Sequence, residues 1–124
     1  MNYFINDEYL REVSLGQAEL SSERLIESIV GDSYMLENRI NEMNLNQKVR
    51  AHYNDYMLKI FDAFDGSKEA IACSIESLAE IFSYCEDDET ESIRHLIKCL
   101  LEKINLLDSF CVFSPRSNKF LRFV

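Results

Sequence analysis

Two histidines, His52 and His95, and four cysteines, at 73, 85, 99 and 111, are the groups able to act as bases, nucleophiles or soft metal ligands near neutral pH. His52 stands three residues before Asp55, a spacing that lets the pair meet on a helix surface. No G-x-S-x-G, H-E-x-x-H or glycine-rich phosphate loop accompanies it. Three glycines in the chain are too few for a cradle of backbone amides. His95 and Cys99 are four apart and share a helical face, and with Cys85 or Cys111 they would make a tetrahedral zinc set. Yet Cys99 lies among Leu96, Leu100 and Leu101, where a thiol packs as a small apolar group. The run 62–67 fails as a calcium loop. Aligning Gly66 with the required glycine puts Phe61 first and Ala72 last, where oxygen donors are needed. The expectation is therefore no catalytic residue, no metal and no cofactor. Four cysteines without a C-x-x-C or an export signal read as reduced packing thiols.

The reactive group supplied in quantity is carboxylate. Twenty-two Asp and Glu face thirteen Lys and Arg, a formal charge of -9. Such a surface repels phosphate backbones, so direct nucleic-acid binding is disfavoured. Residues 86–91 hold five acids, Glu86, Asp87, Asp88, Glu89 and Glu91, and Glu76 and Glu80 lie one turn apart just before them. These seven are the expected partner-binding residues, because carboxylates steer basic partners and fix their register. Residues 109–124 carry Arg116, Lys119 and Arg122 and no acid.

Positioning those groups falls to helices. Apolar residues are 47% of 124, enough for a core, while three glycines and one proline are too few for a many-stranded fold. Asn6 can cap a short helix through about Val13, broken at residues 14–17. Leu20, Leu25, Ile26, Ile29 and Val30 predict a second helix ending near Gly31, and Asp32 or Ser33 would cap a third carrying Leu36, Ile40 and Met43. Stripes at 49–64, 71–85 and 93–107 recur at steps of three and four, with residues 65–67 as a stop and cap. After Asp108 the chain is β-prone at 109–113 and 119–124 around a turn-forming 114–118. The fold expected is mainly α, a single domain over 1–124, with four to five helices in a compact bundle and a short C-terminal β-hairpin or extended tail.

The first residues contain no basic stretch leading into a long apolar run, and no stretch reaches the roughly 18 apolar residues of a membrane span. A cytoplasmic protein without a membrane role is expected. The function these features favour is non-enzymatic: a small acidic protein that binds and neutralises a basic protein partner, as immunity proteins, antitoxins and phage-encoded inhibitors do. The alternative is a cytosolic chaperone or adaptor working as a homodimer through an apolar groove. A small metal-dependent or hydrolytic enzyme ranks third.

Overall fold

Helices begin where a side chain takes up an otherwise free amide. The structure, a computed structural model, describes residues 5–113. Among these, Asp7 accepts from the Leu10 amide and opens α1 (Glu8–Ser14); Ser21 accepts from Arg24 and opens α2 (Ser22–Glu42). Asn46 accepts from Lys48 ahead of α3 (Gln47–Phe64), and Ser67 from Ala70 ahead of α4 (Lys68–Ser83). Each such cap contributes about 1 kcal/mol. A 3₁₀ turn at Asp88–Thr90 leads into α5 (Glu91–Phe113). The α1 cap is Asp7 rather than Asn6, whose amide is turned to Glu102 on α5.

Connections are short, so neighbouring helices run antiparallel. Asp65 closes α3, Gly66 takes a left-handed φ of 94° that suits glycine, and Ser67 starts α4. The most extensive packing is α3 on α4, followed by α2 on α5, with α4 against α5 completing the bundle. Leu25, Ile29 and Leu36 from α2, Tyr56 and Ile60 from α3, Leu78 and Ile81 from α4, and Ile97, Leu100 and Ile104 from α5 are almost wholly buried in one core. Each such side chain contributes about 1.5–3 kcal/mol by leaving water.

The thinner α2–α3 seam is tied by hydroxyls. Ser33 gives its single proton to the Ile29 carbonyl at 2.7 Å, so the Tyr56 hydroxyl, 2.6 Å away, donates to it. Tyr53 donates to the Ser33 carbonyl at 2.8 Å. At the other seam Lys103 of α5 is 1% exposed. Its ammonium has three donors and three acceptors: Asp7 at 2.7 Å, Ser28 at 2.7 Å and Asp32. This cluster ties α1, α2 and α5 together.

Two further sequence expectations are corrected. There is no helix break at Gly31, and Asp32 and Ser33 are not caps. The buried positions 29, 33, 36 and 40 carry one face straight through the glycine. The β-prone segment 109–113 is the last turn of α5, so that arm of the expected hairpin does not form, and no strand occurs among the described residues. Extending a nucleated helix adds one hydrogen bond per residue, whereas an isolated hairpin has little to support it. The remaining hairpin residues, 114–124, lie outside the described region.

Gly31 is exposed, and a methyl group built there meets nothing within 4 Å. Gly31→Ala should therefore raise stability by about 0.5–1 kcal/mol, read as a higher urea midpoint with an unchanged m-value.

Candidate functional site

The turn between α4 and α5 is built by one guanidinium. Arg94 donates from a single terminal nitrogen to the Cys85 carbonyl at 2.8 Å, the Asp87 carbonyl at 2.7 Å and the Thr90 hydroxyl at 3.1 Å. Thr90 is itself buried and donates to the same Asp87 carbonyl at 2.7 Å. The backbone is thereby fixed from inside, while Glu86, Asp87, Asp88, Glu89 and Glu91 all face solvent. The Arg94 hydrogen bonds go to two main-chain oxygens and the Thr90 hydroxyl rather than to these carboxylates. None of them, nor Glu76 or Glu80, joins an ion pair among the described residues.

Glu76 and Glu80 line a groove of about 620 Å³ between α3 and α4, with His52, Asp55, Leu58, Lys59, Cys73 and Ser77. The structure thus brings the two glutamates to His52, which sequence reading had paired only with Asp55. The His52 ring stacks on Tyr84, centroids 6.1 Å apart and 29° between planes. That contact sets the groove's end directly beside the acidic turn, since Glu80 lies one helical turn before Tyr84. Leu58 stands 68% exposed at the groove as an apolar side chain among charges.

Neither Cys99 nor Cys85 is set up as a nucleophile. His95 Nε2 approaches Cys99 Sγ at 3.6 Å, but Cys99 is 5% exposed and donates to the Asn6 carbonyl at 3.4 Å. Burial, with the charges of Asp7 and Asp32 beside it, pushes its thiol up to about 11. A reactive cysteine needs the opposite shift. Burial pushes the Cys85 thiol up as well, with Arg94 pulling weakly the other way. Cys111 is the remaining member of the zinc set considered above; among the described residues no three His, Cys, Asp or Glu side chains are grouped to hold a metal ion. The Ser28–Lys103 contact has the spacing of a hydroxyl and its base. Lys103, however, donates all three of its protons, to Ser28 and two carboxylates, and has no lone pair to offer.

Sequence reading missed a second recess, of about 510 Å³, where α2 meets α3. Asn41, Asn44, Asn46, Gln47, Arg50 and Asn54 rim a floor of Ile40, Met43 and Leu45, with no carboxylate in the lining. Arg50 is hydrogen-bonded across it to Asn41. Comparison with known proteins adds no relative: no family model, no curated protein and no solved structure matches the chain.

The thiol environment gives a signed expectation. Cys99 has an ordinary value of 9.0 and a folded value of about 11. The folded chain holds this proton more tightly, so the associated stability is fully present below pH 9 and is lost as pH rises through about 11. Buried Tyr53 and Tyr56, both shifted upward chiefly by burial, extend the loss to higher pH. Urea unfolding between pH 8 and 11 should show that decline, and Cys99→Ala should flatten its lower part. At pH 8 iodoacetamide should modify buried Cys99 more slowly than half-buried Cys73.

Proposed function

We propose that the protein is a non-enzymatic binding protein that occupies and neutralises a basic protein partner in the cytoplasm, in the manner of immunity proteins, antitoxins and phage-encoded inhibitors. The observation that carries this reading is the acidic turn at residues 86–91. Its five carboxylates are exposed and, among the described residues, unpaired, on a backbone that Arg94 and Thr90 already hold in place. A preorganised surface loses little conformational entropy on binding. Unscreened carboxylates raise the encounter rate with a cationic cleft and reject acidic competitors.

Glu76 and Glu80 extend the same potential along the α3–α4 groove, and Leu58 offers an apolar contact within it. In this reading the charges steer and register the partner, while Leu58 supplies a desolvated centre. No helix among the described residues is long and apolar enough to cross a membrane.

The adaptor alternative draws on a different feature. Phe61, beside Leu58 on α3, is 49% exposed, and Tyr34 and Met35 on α2 are comparably open. An apolar interface would show weak salt dependence, and a charged one a steep dependence.

The immobilised chain should retain a basic protein from its native cells at low salt and release it near 0.5 M NaCl, where screening is nearly complete within about 5 Å. Reversing Asp87, Asp88 and Glu89 to lysine should weaken that partner at least about tenfold and reduce the slope of affinity against salt. Unchanged affinity and slope would remove the turn from the mechanism.

A further inference from the structure

We infer that the surface of α2 and α5 beneath residues 5–14 is a peptide-binding cradle for a partner segment carrying an aspartate in extended backbone. The chain's own Asn6 and Asp7 occupy it as an internal, displaceable ligand. The inference is independent of the acidic turn.

The cradle reads its occupant through backbone atoms and one carboxylate. The successive amides of Asn6 and Asp7 donate to the Glu102 carboxylate, each at 2.9 Å. The Asn6 carbonyl accepts from Cys99 Sγ at 3.4 Å, and the Asp7 carboxylate, 4% exposed with its residue, meets Lys103 at 2.7 Å. Two N–H groups, one C=O and one side-chain charge are what any extended segment of the form x-Asp presents. Recognition of main-chain groups with a single charged specificity contact is a recurring mode of peptide binding.

The occupant is weakly held elsewhere. Its helix α1 is seven residues long and buries none of them, and so short a helix does not persist undocked. Tyr9 and Leu10 pack only partly against the core. Residues 15–21 then lead to α2 without regular structure, turning at Gly16 with φ 77°.

The cradle, in contrast, is built on packed helices. Glu102 and Lys103 stand on α5 between buried Leu100 and Ile104, and Ser28 and Asp32 flank buried Ile29 on α2. When residues 5–14 leave, Lys103 keeps Asp32 and Ser28 and frees one N–H donor, and the Glu102 carboxylate frees its acceptors. The vacated surface offers the complement of the segment that left. A tethered segment competes at an effective concentration of order millimolar. A partner making further contacts would therefore displace it at lower concentration.

The test titrates a peptide of residues 5–15, acetylated and amidated, into the full wild-type chain and into an Asp7→Lys chain whose own segment no longer complements Lys103. The peptide should bind the Asp7→Lys chain at least about tenfold more tightly than wild type. A peptide carrying Asp7→Asn should bind at least about tenfold more weakly than the native peptide. In the wild-type chain, amide hydrogen exchange at residues 8–14 should quicken as the peptide saturates. Absence of binding to either chain at several millimolar, or equal binding by the two peptides, would overturn the inference. The wild-type exchange measurement decides alone if Asp7→Lys does not fold: protection at residues 8–14 equal to that of the α5 core, undiminished by peptide, would show that the segment is not displaceable. Concentration-dependent dimers exchanging this segment would assign the cradle to a second copy and also overturn it.

Discussion

A single buried ammonium sets the arrangement of three helices. Lys103 sits on the inner face of α5, where its neighbours in the stripe are Leu100, Ile104 and Leu107. A charge so placed is tolerated only when every proton has an acceptor, and the three acceptors come from two separate elements: Asp7 before α1, and Ser28 and Asp32 on α2. Shifting α2 along α5 by one turn would strand the charge, whereas lifting residues 5–14 would leave it with Ser28 and Asp32 and free one N–H. Such a cluster contributes less to net stability than an apolar replacement would, but removing one partner alone is expensive. Its effect is to make one helix register far better than its neighbours. The hydroxyl tie of Ser33 with Tyr53 and Tyr56 does the corresponding work between α2 and α3.

The two clusters of acids in this chain have opposite fates, and the difference explains the surface. Asp7, Asp32 and Glu102 are used internally, against Lys103 and the amides of Asn6 and Asp7. Among the described residues the carboxylates of residues 86–91 have no such partner; Arg94 bonds carbonyls and the Thr90 hydroxyl instead. Mutual repulsion among them destabilises the fold slightly. The apolar core absorbs that penalty, leaving a surface whose potential is available to another molecule.

Helical periodicity made much of this legible. The stripes at 49–64, 71–85 and 93–107 became α3, α4 and α5, and the stop-and-cap at 65–67 stands where expected. Local signals failed where tertiary packing overrode them. Gly31 looked like a terminus but lies on the solvent side of a helix held by its other face, and the β-prone residues 109–113 extended a helix already under way. The acidic run at 86–91 was readable as an exposed turn, but its scaffold was not, since nothing in the residues around Arg94 announces that it bonds backbone rather than carboxylate. Lys103 did leave a trace: positions 96, 100, 103 and 107 advance by four, three and four, which places a lysine in a core stripe. What a single sequence cannot supply is the distant partner, here 96 residues away at Asp7.

The most direct test of the Lys103 cluster is a double-mutant cycle of Lys103→Met and Asp7→Asn, followed by urea unfolding at neutral pH. Lys103→Met should cost about 3–5 kcal/mol, because two carboxylates are left facing one another. The double variant should lose less than the sum of the two single changes by about 1–3 kcal/mol. Strictly additive losses would contradict the account, since they would mean that the ammonium and the N-terminal carboxylate do not depend on each other.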